Sequence, residues 1–142
     1  MRRFALLAAF ASVLLAPVVS AQTQAPATPA KYIAPVKGVA TIEVIQTSSK
    51  RVGKEMVTVI KVRNTSKGTI NLLKADEYWY DKDMKIVTSA QYAHKKAPIQ
   101  PGEIVEITLR APIPAGAAPR QDQTMFRHAN GDVRATKVKV FK

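Results

Sequence analysis

Three sets of side chains in this sequence have types and spacings that could do chemistry: two histidines, one acidic cluster, and a run of three aromatics with cations downstream. His94 is followed directly by Lys95 and Lys96, and His128 stands just before Asn130-Gly131. A metal site or an acid–base pair needs a carboxylate or a second ligand beside each imidazole. The two ammonium groups after His94 would repel a metal, so both histidines are expected at surface or rim positions with no catalytic role. Asp81-Lys82-Asp83, with Asp76 and Glu77 upstream, is the acidic cluster. A calcium loop wants further oxygen donors at alternating positions and usually a glycine at the bend. Lys82 and Lys85 crowd this one with positive charge, which leaves the aspartates as turn formers. Asp76 and Asp81 lie five positions apart, so on one strand they fall on opposite faces and do not make a carboxylate pair. No serine sits in a nucleophile elbow, no glycine-rich loop precedes a helix, and there is no cysteine. The sequence therefore predicts no catalytic set, no metal site and no cofactor.

Tyr78-Trp79-Tyr80 carries more information. Side chains alternate along a strand, so three consecutive aromatics cannot all face a core. Trp79 shares its phase with Leu73 and Ala75, whereas Tyr78 and Tyr80 share theirs with Lys74 and Asp76. The more charged phase is expected to face water, with Trp79 inside. The last two predicted strands bring Arg127, Arg134, Lys137 and Lys139. Together with Tyr78 and Tyr80 these form a candidate binding face for a polyanion or a sugar. The competing reading is cross-strand tyrosine packing beneath solvated cations.

The elements that would position these residues read as short strands. Residues 39–46 and 56–63 are rich in β-branched side chains, as strands prefer. Residues 48–54 read as a polar turn, and Asn64 to Gly68 as the next one. A longer strand is predicted over residues 69–80, returning over 84–90 after the aspartate turn. Residues 104–110 alternate most cleanly, with Val105, Ile107 and Leu109 on one face and Glu106, Thr108 and Arg110 on the other. A strand over 123–128, the Asn130-Gly131 hairpin signal and a strand over 133–141 close the chain. In that last strand Val133 and Ala135 share one phase and Val138 and Val140 the other, so a bulge or a change of role is expected near Thr136 and Lys137. The reading is all-β: about seven strands of an antiparallel, immunoglobulin-like β-sandwich spanning residues 38–142.

Two segments precede that domain. Residues 1–21 combine Arg2-Arg3, an uncharged apolar run, a breaking Pro17 and small residues at Ser20-Ala21. This is the pattern of a secretory signal peptide, too short to span a bilayer. The protein is accordingly expected in the periplasm or secreted, without a transmembrane segment. Residues 22–37 hold Pro26, Pro29 and Pro35 among Ala, Thr and Gln, and read as an extended, poorly ordered leader in which Tyr32 and Ile33 can dock on the domain. Removing the signal takes Arg2 and Arg3 with it and lowers the formal charge from +12 to +10. Without cysteine, stability must come from packing and strand pairing alone. A basic charge bears on partners and solubility rather than fold. Outside the cytoplasm it points to nucleic acid, lipopolysaccharide or acidic glycans, or it merely keeps a β protein from self-association.

Three local motifs resemble the FxLYD family of exported, immunoglobulin-like bacterial domains. Val62-Arg63-Asn64-Thr65-Ser66 is similar to that family's strand end. Tyr78-Trp79-Tyr80-Asp81-Lys82-Asp83-Met84-Lys85-Ile86-Val87 is similar to its hairpin, with Met84 where a glycine is usual. Pro98-Ile99-Gln100-Pro101-Gly102-Glu103 resembles its lead-in to an alternating strand. The resemblance implies a non-enzymatic envelope or secreted module with no shared catalytic residues. The leading functional expectation is a binding or structural module of the bacterial cell envelope, with an envelope protein or glycan as partner. The alternative is a cationic polyanion-binding protein. An enzyme using a carboxylate pair is weighed third, and a pilus-type strand acceptor fourth; the lysines of residues 133–141 would protect that edge rather than open it.

Overall fold

The computed structural model describes residues 31–142. The signal-peptide reading and the leader up to residue 30 lie outside the described residues. From Tyr32 onward the chain is one compact all-β unit, with no helix among the described residues. Eight strands occur: β1 Ala40–Gln46, β2 Lys50–Val52, β3 Glu55–Asn64, β4 Lys74–Tyr80, β5 Ile86–Ala93, β6 Ile104–Pro112, β7 Gln121–His128 and β8 Gly131–Lys137. They form one curled, mixed sheet, a half-barrel, in the order β2-β3-β1-β8-β7-β4-β5, with β6 added on β3.

The extra strand beyond the seven expected is β2. It lies in the segment read as a polar turn and pairs with the start of β3 through three residues. All three are exposed, so no apolar alternation marks them. The long strand predicted over residues 69–80 is shorter, because Leu72 takes a positive φ of 49° and turns the chain before β4 begins. The stretch before that bend is held by isolated bridges, Thr69 to Pro35 and Ile70 to Ile99. The phase change near Lys137 is a strand end: β8 stops there. Arg63 then stacks 5.1 Å over the Phe141 ring and donates to the Lys142 carbonyl, holding the tail. The expectation of a wholly antiparallel arrangement is corrected by one pair, since β8 runs parallel to β1 over five residues. β8 divides its pairing between two neighbours. It pairs with β7 only through Arg127–Asp132 and His128–Gly131, and with β1 over residues 133–137, so the stretch that carries Arg134 and Lys137 is paired on one side.

Alternation builds the core as expected. Ala40, Ile42 and Val44 of β1, Ile60 and Val62 of β3, and Ile107, Leu109 and Ala111 of β6 are buried. Trp79 is 4% exposed and joins them with Leu73 and Ala75. Part of the leader is ordered against this unit. The Val36 amide donates to the Thr69 carbonyl at 2.9 Å, and the Thr69 amide to the Ala34 carbonyl at 3.1 Å. Tyr32 stays 83% exposed, so the docking is made by residues 34–36 through backbone. Gly131 seats β8 on this segment: a Cβ there would lie 2.3 Å from the Gly38 carbonyl oxygen, and its φ of 150° suits glycine.

Candidate functional site

The Tyr-Trp-Tyr run sits at the end of β4, which pairs with β5 on one side and β7 on the other. Register decides what surrounds the tyrosines. Tyr78 faces Ser89 of β5 and Gln123 of β7, and Tyr80 faces Gln121 of β7 directly and Ile86 of β5 past a β-bulge. Directly opposed residues share a face. The outer face of β5-β4-β7 therefore has two half-buried tyrosines at its centre, with Ser89, Gln121 and Gln123 exposed beside them. The Tyr80 hydroxyl lies 3.3 Å from Gln123 Oε1. Met125, 51% exposed, extends the same row toward Arg127.

The structure divides the six candidate residues. Tyr78, Tyr80 and Arg127 share the β4–β7 outer face. Arg134 lies on β8 opposite Thr41 of β1, in the same phase as Asp132, the cross-strand partner of Arg127. Lys137 falls in the opposite phase, opposite Val44, and lines a cleft of about 300 Å³ with Gln46, Ser49 and Asp122. Lys139 lies beyond the last strand. The Arg127 guanidinium is moreover engaged: it donates to Asp76 at 2.5 Å. That hydrogen bond, together with the Asp76 charge, raises the affinity of Arg127 for its proton. Asp76 belongs to the outward phase but is buried, with only 9% of its side chain exposed beneath Arg127. The face is thus aromatic and amide-rich around the tyrosines, with Arg127 neutralised by Asp76 and Lys74 exposed opposite it in register.

The histidines are not on the surface as expected; each is 7% exposed. The His94 Nδ1 lies 3.1 Å from the Tyr92 hydroxyl, and its ring lines a cleft of about 470 Å³ with Lys96, Glu103 and Glu106. Glu103 is occupied as a turn cap, accepting from the Gln100 amide at 2.7 Å. His128 Nε2 donates to the Gly38 carbonyl at 2.7 Å, which leaves Nδ1 to accept from the Asn130 amide. Burial here fastens the leader and the hairpin. Among the described residues no three His, Cys, Asp or Glu side chains come together around a metal position.

The aspartate cluster forms a turn as expected. Asp81 Oδ1 accepts from the Asp83 and Lys85 amides, at 2.8 and 3.0 Å. The Lys85 amide bond in particular holds this exposed carboxyl below the usual aspartate range. Asn64, in its Asn-x-Ser sequence, is fully buried and donates to the Gly68 and Ile99 carbonyls at 2.9 Å each. Its Oδ1 accepts from the Ser66 amide at 2.8 Å, so it organises the turn after β3.

Glu77 was missed, although period-two alternation put it in phase with Ala75 and Trp79. It is fully buried, and neither carboxyl oxygen has a partner in good hydrogen-bond geometry, although the Thr58 hydroxyl and the Trp79 indole N–H lie near enough to favour its charged form. Burial pushes its carboxyl above the ordinary value of 4.5, against the pull of Thr58 and Trp79, and the Asp122 charge adds to the push. Gln121, Gln123 and Ser89 were also missed, because only strand register brings them beside the tyrosines. The chain matches no known family model and no curated protein.

Proposed function

We propose that this protein is a non-enzymatic, exported binding or structural module of the bacterial cell envelope, built as an immunoglobulin-like sandwich, whose contact surface is the outer face of β5-β4-β7. The address rests on the signal-like pattern of residues 1–21. The sandwich reading is supported by two strand groups, β2-β3-β1 with β6 and β7-β4-β5, joined through β8. The observation that carries the binding reading is the pair Tyr78 and Tyr80, two residues apart on an open strand face and flanked in register by amides and a hydroxyl. Aromatic rings with side-chain amides suit the apolar ring faces and hydroxyl edges of a glycan.

The polyanion reading has in its favour the formal charge of +12 over the whole chain and the exposed Lys74 on this face. The two are separated by retention on purified envelope glycan and on a polyanion matrix, at low and at high salt. Glycan recognition by this face predicts retention that survives high salt and is abolished in the Tyr78→Ala/Tyr80→Ala double variant. Retention that is indifferent to the tyrosines and weakens steeply with salt belongs to the polyanion reading. Loss of neither with these changes removes this face from consideration.

A further inference from the structure

Glu77 occupies the middle of β4, with Tyr78 next to it on the opposite face of the strand. Its immediate surroundings carry several polar atoms. Across the ladder it faces Thr124 of β7 and Ala90 of β5. The Thr124 hydroxyl and the Trp79 indole nitrogen are buried without partners, like the Glu77 oxygens themselves. Thr58, fully buried, reaches in from β3. Asp122 of β7 is the charged group whose field acts on Glu77. The cluster has a route to solvent. The Thr58 hydroxyl lies 2.6 Å from that of Ser49, and Ser49 lines the cleft it shares with Gln46, Asp122 and Lys137. Gln46 Nε2 donates to Asp122 across that cleft at 2.7 Å.

A buried carboxylate needs a cation or several hydrogen-bond donors, and otherwise remains protonated. Its interior position offers at most two hydroxyls and one indole N–H. We propose that Glu77 is a proton-operated switch in the core: neutral, it lets β4 pack against β3 and β7; ionised, it draws water in past Gln46 and Ser49 and loosens β4 together with the Tyr78–Tyr80 face behind it. The packing switch depends on the core alone. Its effect on binding rests on the reading of that face as the contact surface.

The sign follows from linkage. An acid whose proton is held more tightly in the folded state stabilises the fold fully below its unfolded value, near 4.5 here. That stability declines as pH rises through the folded-state value, where Glu77 itself ionises.

Trp79, two residues along the same inner face, is the chain's single tryptophan and reports on this event directly. Its emission is to be titrated from about pH 4 to about pH 9, beside a far-ultraviolet dichroism control. The wild-type emission is expected to change in one step above the ordinary glutamate range while dichroism holds. Glu77→Gln should give no step and a higher melting temperature at the alkaline end. Asp122→Asn, which removes a like charge, should move the step to lower pH. No step in the wild type, an unchanged step in Glu77→Gln, or a midpoint indifferent to Asp122→Asn overturns the switch. The Asp122→Asn comparison decides even where Glu77→Gln does not fold. Glycan retention that ignores a clear Trp79 step leaves the core switch standing and overturns its coupling to the face.

Discussion

The strands β1, β3 and β6 and the strands β4 and β7 turn their inner faces into the same interior, yet they fill it differently. The first group presents Ile42, Val44, Ile60, Val62, Ile107 and Leu109, nearly all fully buried aliphatics. Its one buried hydroxyl, Thr58, is bonded to Ser49. The second presents Ala75, Glu77 and Trp79 opposite Phe126, Thr124 and Asp122, with three of these side chains carrying buried polar atoms that lack partners. Close-packed aliphatics contribute both transfer energy and dispersion. Orphaned polar atoms subtract from the stability of the surface they occupy. The aliphatic group is therefore the anchor of the fold, and β4 with β7 is the part whose packing can be adjusted. The proposed contact face lies on the outside of that adjustable part.

The contrast can be broken by substitution. The largest effect is expected at Ile60→Ala, at about 2–5 kcal/mol of lost stability by chemical denaturation, since a fully buried aliphatic is truncated in the anchor. Asn64→Ala comes next, at about 2–3 kcal/mol, because the buried amide's hydrogen bonds to the Gly68 and Ile99 carbonyls and from the Ser66 amide are all lost. Met84→Gly should stabilise by about 1–2 kcal/mol, because Met84 holds a left-handed φ of 60° in the hairpin. Thr124→Val should stabilise by about 1 kcal/mol, since it exchanges a partnerless buried hydroxyl for a methyl group of the same shape. A stability loss at Thr124→Val as large as that at Ile60→Ala would erase the distinction between the two regions.

Where alternation was clean the sequence could be read directly. Residues 104–110 and Trp79 needed no partner to be placed, because period two with one apolar phase dictates which side is buried. The same alternation puts Glu77 in phase with Ala75 and Trp79, but its charge grouped it instead with Asp76, Asp81 and Asp83. Asp76 shows the reverse case. Its phase faces outward, and it is buried because Arg127, fifty-one residues away, covers it. The histidines deceived for a similar reason. Lys95 and Lys96 mark an exposed stretch, while His94 turns inward against Tyr92. The candidate cations were grouped by nearness in sequence to the last strands. Arg134 and Lys137 lie an odd number of positions apart, so alternation sends Lys137 to the cleft and Arg134 to the side shared with Arg127.

The amino-acid sequence by itself determined the β character of this protein, its turns, and the inward side of its strongest strands. These follow from local conformational preference and from alternation. The parallel seating of β8 on β1, the pairing of β4 with β7, the neutralisation of Arg127 and the burial of Glu77 beside Thr124 were decided by tertiary structure. Each depends on which distant strands lie side by side and in what register, and that is settled by the packing of the whole interior.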